Sequence, residues 1–227
     1  MRADPTEPAL VASGLSVRLG GVVVIERADL KLAAGDLVLL TGPNGAGKST
    51  FLRALVGLVP ASGDVAIAGR PPASLSGRAA FAFVPDEPAL YEDITLAEHA
   101  YLNAALYGDA GAEGRALELL GRFGLGERTD EFPGTHSRGM RQKLALSLAL
   151  ALERPVTLLD EPFNALDLGS QELLARLLAE RAAAGGAVLL TGHQRDLAGL
   201  LGARVVAMDG GRLEAVGAAA PAASEGA

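Results

Sequence analysis

The fold is decided by nine consecutive residues, Gly42-Pro43-Asn44-Gly45-Ala46-Gly47-Lys48-Ser49-Thr50. They fit the pattern G-x-x-x-x-G-K-[ST], which carries weight only when a strand precedes it and a helix follows it. The apolar residues 37–40 predict that strand, and residues 48–55 favour a helix that the preceding glycines would not extend. An ordinary glycine-rich turn between a strand and a helix would not need all of these features. The stretch therefore predicts a loop that binds phosphate groups.

The chemistry of this phosphate loop follows from its residue types. Glycines allow consecutive backbone amides to turn towards an anion, and the following helix presents unpaired N–H groups and the positive end of its dipole. Lys48 adds a full positive charge towards the outer phosphates, and Ser49 offers a hydroxyl to Mg²⁺. The sequence thus predicts a site for a nucleotide together with Mg²⁺.

A second requirement of such a site is a carboxylate at the tip of a neighbouring buried strand. Residues 156–159 are apolar and predict the strand, and Asp160 and Glu161 follow directly. We expect Asp160 to hold the hydrated Mg²⁺ and Glu161 to polarise the attacking water or accept its proton. Carboxylates at a strand end can also be plain solvated surface, a reading that the phosphate loop disfavours.

His193 is a further candidate catalytic residue. It follows the apolar residues 188–191, so in a parallel sheet its side chain emerges at the carboxyl edge, where ligands bind. There it can contact the terminal phosphate. An exposed loop histidine accounts for the same sequence equally well, and the residues alone leave both readings open.

The predicted elements change in kind along the chain. The first third is rich in strands, residues 95–152 predict helices without an intervening strand, and strands and helices then alternate, which favours a parallel sheet. The predicted strands are 15–19, 22–25, 30–32, 36–40, 64–68, 80–84, 156–159, 187–191, 204–208 and 212–216, and the predicted helices are 48–55, 95–107, 112–123, 138–152, 169–184 and 195–200.

Composition restricts the partners and the compartment. The 227 residues include 20 Lys plus Arg and 27 Asp plus Glu, and this net charge of −7 suits nucleic-acid binding poorly, so no nucleic-acid partner is expected. The sequence has no cysteine, which is compatible with a reducing compartment. Charges and prolines fill residues 1–8, and no apolar run is long enough to cross a bilayer. We expect a cytoplasmic protein with a flexible segment 1–9 and a disordered tail 218–227.

The order and spacing of these motifs resemble the ATP-binding cassette (ABC) family over about residues 10–217. Residues 136–143 are similar to the family signature L-S-G-G-Q-x-Q, in which Ser137, Gly139 and Gln142 match. Ser137 also precedes a predicted helix, so its hydroxyl can cap that helix and the helix dipole can face an anion. Residues 164–167, which end at Asp167, resemble the D-loop of the family.

The resemblance implies a fold and a cofactor. The implied fold is α/β: a P-loop NTPase core with a mostly parallel sheet, an N-terminal antiparallel β subdomain and an inserted α-helical subdomain at about residues 88–152. The implied nucleotide is ATP with Mg²⁺, and His193 then resembles the switch histidine of the family.

The resemblance also implies partners. In the family two cassettes pair head to tail, and the signature of one closes over the phosphates on the other, which assigns Ser137, Gly139 and Asp167 to nucleotide binding across that interface. A chain with one phosphate loop then needs a second copy or a related cassette.

The activity implied is ATP hydrolysis that drives transport of an unknown substrate through a separate integral membrane permease, at the cytoplasmic face of the membrane. The form Ser-x-Gly-Met-x-Gln-Lys-Leu, which begins at Ser137, resembles bacterial exporters more than importers. A soluble ABC ATPase, for example one of cluster assembly, remains the alternative, whereas a non-hydrolysing switch is disfavoured by intact Lys48, Asp160, Glu161 and His193.

Three positions depart from the family pattern. Leu19 stands where an aromatic residue usually stacks on adenine, so we expect weak base stacking. Asp86 stands in place of the glutamine of the Q-loop, where it is a candidate Mg²⁺ contact at the junction with the helical part. Arg138 replaces the first of the two signature glycines.

Overall fold

A computed structural model describes residues 7–193 and 196–215. The strands are β1 (Leu10–Leu19), β2 (Val22–Leu32), β3 (Leu37–Thr41), β4 (Ser62–Ile67), β5 (Phe81–Val84), β6 (Val156–Leu159), β7 (Ala187–Thr191), β8 (Arg204–Asp209) and β9 (Arg212–Ala215). The helices are α1 (Lys48–Leu55), α2 (Leu75–Arg78), α3 (Leu96–Tyr107), α4 (Ala112–Arg122), α5 (Arg138–Ala151), α6 (Leu168–Ala183) and α7 (Asp196–Leu201). The expected flexible segment 1–9 lies mostly, and the expected tail 218–227 entirely, outside the described residues, and the division of the chain into 1–9, 10–217 and 218–227 stays a prediction.

The main sheet has six strands in the order β5-β6-β7-β3-β8-β9. The first five run parallel, and β9 pairs antiparallel with β8. The carboxyl ends of β3, β6 and β7 therefore lie at one edge, which is where ligands bind in open parallel sheets. The predicted mostly parallel sheet is confirmed, and it brings the segments after residues 41, 159 and 191 together.

This sheet is buried on both faces, which is why its strands are nearly continuous apolar runs. Alternate residues of β3 point to opposite sides: Val38 and Leu40 pack with α1 and the N-terminal strands, whereas Leu37 and Leu39 pack with helices that include α4, α5 and α6. Phe51 of α1 is fully buried against the first of these faces. The helix that follows the phosphate loop is thus anchored by its apolar side.

A separate antiparallel sheet, β2-β1-β4, forms the N-terminal part. The sequence predicted three short strands at 15–19, 22–25 and 30–32, and this was wrong in detail, because β1 and β2 are two long strands with irregular pairing. Side chains replace missing ladder bonds at the irregularities: Asp29 accepts a hydrogen bond from the amide of Gly14 (2.7 Å), and Ser16 accepts one from the amide of Arg27 (2.9 Å). Pairing therefore continues between residues 25 and 30, where the prediction had left a gap between two strands.

Helices α3, α4 and α5 occupy the predicted helical region. Thr95 caps α3 in a reciprocal arrangement with Glu98, and Gly108 ends the helix in a left-handed conformation. Leu96, Leu120 and Leu144, one from each helix, share a small apolar core. The short helix α2, which Ser74 caps, was not predicted. In the described part of the chain, no helix has the length and apolar character needed to span a membrane.

Candidate functional site

The phosphate loop runs from the end of β3 to the start of α1, as the sequence predicted. Gly42 has a φ of 154°, and a side chain there would collide with the backbone carbonyl of Met208 in β8. Gly47, with a φ of 105°, would place a Cβ 2.8 Å from Cδ1 of Ile25 in β2. Two of the glycines are therefore required because strands of both sheets approach the loop closely.

Lys48 lies inside the curve of this loop and is only 6% exposed. Its Nζ donates hydrogen bonds to the carbonyl oxygens of Gly42 (2.8 Å) and Pro43 (3.3 Å), and it lies 3.8 Å from Oε1 of Glu161. A buried ammonium group needs such partners. Its charge thereby lies next to both the carbonyl oxygens of the loop and the Glu161 carboxylate.

Asp160 is fully buried at the end of β6 and faces the first turn of α1. Its Oδ1 accepts hydrogen bonds from the hydroxyls of Ser49 (3.0 Å) and Thr191 (2.8 Å), whereas Oδ2 is buried without a hydrogen-bond partner. A buried carboxylate oxygen that lacks a partner, next to a serine hydroxyl, fits the oxygen ligands that Mg²⁺ prefers. The residues present therefore fit the ion that the sequence predicted.

Thr191 is a functional residue that the sequence analysis did not single out. Besides binding Asp160, its hydroxyl accepts a hydrogen bond from the amide of Glu161 (2.8 Å). Nothing in the local sequence marks this role, because the bond spans 30 residues and depends on β6 and β7 being neighbours.

Glu161 follows Asp160 with a left-handed φ of 48° and a side chain that is 12% exposed. Oε1 lies 2.9 Å from Nε2 of His193, so the structure brings the two predicted catalytic residues into contact. Burial raises the pKa of Glu161, an effect that the nearby His193 and Lys48 oppose and that Asp160 and Asp86 reinforce. His193 itself is 41% exposed, so it lies at the mouth of the site rather than within it.

One cavity of about 470 Å³ joins these groups. Its lining residues are Val24, residues 44–50, Asp86, Arg138, Glu161, Asn164 and His193. Two of the three departures from the family pattern therefore meet in this cavity, because Nη2 of Arg138 lies 2.9 Å from Oδ1 of Asp86. Leu19, the third, is an exposed residue at the end of β1.

Ser137, Gly139 and Asp167 do not line this cavity. Ser137 caps α5 by accepting a hydrogen bond from the amide of Met140 (3.3 Å), as predicted. Asp167 caps α6 through the amide of Ser170 (2.9 Å) and pairs with Lys143 (2.7 Å), contacts that hold its pKa well below the usual range. The exposed N-termini of α5 and α6 thus lie beside each other, with Ser137, Gly139 and Asp167 outside the lining of the chain's own cavity.

The N-terminal half of α5 contacts the segment before α6 closely. A Cβ at Gly139 would overlap the carbonyl oxygen of Ala165, whose φ is 62°. Glycine is therefore required at this position of the signature by a contact within the same chain.

A phosphate loop at the carboxyl edge of a parallel sheet, with Asp160 and Glu161 directly after β6, which β7 separates from β3, defines a P-loop nucleotide-binding domain. The family model described as "ABC transporter" matches residues 25–164. The chain belongs to the ABC transporter family, as one of its ATP-binding domains, and it has the ATPase class of activity that defines those domains. The predicted family and fold are confirmed.

Curated relatives and a solved structure agree with this assignment. The chain is 38% identical to a hemin import ATP-binding protein of Streptomyces coelicolor, over 95% of this chain and 80% of the relative. It is 32% identical to the SkfA peptide export ATP-binding protein of Bacillus subtilis, over 83% and 80%. A solved ATP-binding subunit of an ABC transporter superposes with a TM-score of 0.87 at 35% identity, over 92% and 90%.

A third relative shows that the domain also occurs within longer proteins. It is a Streptomyces avermitilis protein, named as an ABC transporter ATP-binding protein, that is 40% identical over 92% of this chain. The chain spans only 38% of the length of that relative.

Proposed function

We propose that this chain hydrolyses ATP to drive transport through a separate integral membrane permease, at the cytoplasmic face of the membrane. The observation that carries the proposal is the single cavity in which Lys48, Glu161 and His193 meet beside the Ser49–Asp160 pair. Together these groups supply a cation for phosphate, oxygen ligands for Mg²⁺ and a proton acceptor.

Each residue has a distinct part in the proposed hydrolysis. Residues 42–50 and Lys48 bind the phosphates, and Ser49 and Asp160 hold Mg²⁺, which neutralises charge on the phosphates when bound. Glu161 accepts the proton of the attacking water. His193, 2.9 Å from Glu161, orients that carboxylate and contacts the outermost phosphate.

In this proposal a second cassette completes the nucleotide site. Another copy of the chain or a related chain supplies that cassette. The support is the position of Ser137, Gly139 and Asp167, which stand beside exposed helix N-termini outside the chain's own cavity. Helix N-termini attract anions, so the same groups on a partner can close over the nucleotide.

The contact with the permease is assigned to an apolar groove next to Asp86. Its volume is about 290 Å³, and it lies between the end of β5, the loop after it, α3 and α5. Its lining includes Phe83, Pro88, Ala89, Tyr107 and Leu148. A short helix of a permease can place apolar side chains in such a groove.

Export is the direction we propose. The support is the Ser-x-Gly-Met form of the signature that begins at Ser137, which resembles exporters. The names of the relatives include both import and export proteins.

The permease assignment predicts that Ala89→Arg weakens recovery of an integral membrane protein at least tenfold when the tagged chain is purified from detergent-solubilised membranes of its own host. The reason is that an added charge in an apolar groove must be desolvated on docking. Quantitative mass spectrometry of the membrane fraction measures it. The matched control is Ala105→Arg, at an alanine of α3 that is also exposed but lies outside the groove lining, and this variant should retain the partner. Recovery of only soluble partners would favour a non-transport ABC ATPase instead.

Leu19 predicts weak discrimination between purines, because it offers no aromatic face to the base. ATP and GTP should bind within about tenfold of each other, or about 1.4 kcal/mol. Leu19→Tyr should tighten ATP binding by about 0.5–1.5 kcal/mol, the contribution of one aromatic contact. A fluorescence titration measures both. Leu58→Tyr, at an exposed leucine beyond α1, should leave affinity unchanged; an unchanged affinity for Leu19→Tyr as well would mean that another residue stacks on the base.

A further inference from the structure

Asp86 and Arg138 form an ion pair within the lining of the nucleotide cavity. Nη2 of Arg138 donates a hydrogen bond to Oδ1 of Asp86 at 2.9 Å, and their side chains are 56% and 37% exposed. A pair this exposed contributes little to folding stability. Its position among phosphate-facing groups therefore calls for a role other than holding the fold together.

The two residues come from different parts of the fold. Asp86 lies in the loop that follows β5 of the main sheet, two residues after the strand ends, whereas Arg138 is the first residue of α5, directly after the capping Ser137. The long side chain of Arg138 extends to the same cavity that Lys48 and residues 44–50 line. It is the second strong cation of that cavity.

The charges around the cavity give Asp86 and Arg138 opposite effects on a polyphosphate. Asp86 is close enough to Glu161 to help raise the pKa of that carboxyl, so it adds negative charge where phosphates would bind. Arg138 compensates this charge. Its pair with Asp86 uses one N–H of a guanidinium that has five, and guanidinium groups bind phosphate oxygens well.

We propose that Arg138 is a second phosphate-binding cation of its own chain's site, which Asp86 holds in place until the outermost phosphate of a triphosphate competes for it. The inference rests on the proposed function, since it presumes that nucleotide binds on residues 42–50. It makes Arg138 a residue that distinguishes triphosphate from diphosphate, because only a triphosphate carries the outermost phosphate that would compete with Asp86 for Arg138.

The test measures nucleotide affinity with EDTA present and at protein concentrations that sedimentation shows to be monomeric. Under these conditions neither Mg²⁺ nor a partner's signature contributes. Arg138→Ala should weaken ATP binding about tenfold and ADP binding less than about twofold, the size expected for losing one charge-assisted contact. Asp86→Ala should act in the opposite direction and tighten ATP binding at least about threefold, because it frees Arg138 and removes a negative charge.

The double variant separates these two causes. If Arg138 binds phosphate, Asp86→Ala should tighten ATP binding less in the Arg138→Ala background than in the parent. Arg141→Ala is the matched control: this arginine, one turn further along α5, pairs with Glu92 at 2.7 Å and does not line the cavity, so ATP affinity should not change. Thermal unfolding of each variant without nucleotide confirms that it is folded.

Three outcomes would overturn the inference. Arg138 does not bind the outermost phosphate in its own chain's site if Arg138→Ala loses ATP and ADP affinity equally, or if its ATP affinity is unchanged. The same holds if ATP affinity falls only at protein concentrations that give dimers. If the parent chain binds no nucleotide, the proposed function fails and the inference fails with it. If the parent binds nucleotide and Arg138→Ala binds it equally well, the inference fails while the proposed function stands.

Discussion

Glu161→Gln should lower the rate of ATP hydrolysis about 10²–10⁴-fold while ATP stays bound, so that an ATP-loaded dimer accumulates on size-exclusion chromatography. The amide has the shape of the carboxyl group but cannot accept the proton of the attacking water. It also removes a buried negative charge that lies 3.8 Å from Lys48, so phosphate binding is not weakened by repulsion. Single-turnover hydrolysis with radiolabelled ATP measures the chemical step directly.

The pH dependence of the same reaction gives an independent readout. Burial raises the pKa of Glu161, and the base acts only when deprotonated, so the parent rate should fall as the pH drops through this raised pKa. The residual rate of Glu161→Gln should lack that acid limb. Glu172→Gln, at an exposed position on α6, is the control and should behave as the parent. Parent-like hydrolysis by Glu161→Gln would show that another group is the base.

Lys48→Ala should weaken ATP binding about 10²-fold or more, because the variant loses the buried cation of the phosphate loop. The substitution also leaves the carbonyl oxygens of Gly42 and Pro43 without their donor. Equilibrium titration with a fluorescent ATP analogue measures the loss.

The control for this variant is Arg53→Ala, which removes an exposed basic residue of the same helix. It should leave nucleotide affinity within about twofold of the parent, since an exposed charge is screened by salt. If Lys48→Ala retains parent affinity, residues 42–50 do not bind the phosphates.

The sequence predicted those parts of the site that local rules determine. The nine residues that begin at Gly42 require a strand and a helix at fixed distances, and Asp160 with Glu161 ends an apolar strand. The structure confirms both placements and the mostly parallel sheet. Contacts between distant segments were not predictable in this way. The hydroxyl of Thr191 meets Asp160 only because β6 and β7 are neighbours, and Arg138 meets Asp86 across 52 residues.

The errors in the predicted strands have the same origin. The sequence predicted separate strands at 22–25 and 30–32, but β2 continues through Arg27, whose amide donates a hydrogen bond to the hydroxyl of Ser16 on the neighbouring strand. The alternation of polar and apolar residues can be read from the sequence of one strand. Side-chain hydrogen bonds that replace missing backbone bonds in an irregular strand pair can be recognised only when both strands are known. The roles assigned to individual site residues stay predictions that the variants above test.

Thr191 links the positions of Asp160 and Glu161 through hydrogen bonds, and that of His193 through the chain. Its single buried hydroxyl joins the Asp160 carboxylate to the backbone amide of Glu161, and its own strand leads two residues later to His193. A displacement of the end of β7 would therefore move the Asp160 carboxylate and the backbone of Glu161 at the same time. In the proposed function, the carboxylate that would hold Mg²⁺ and the residue that would accept the proton would then shift together rather than separately.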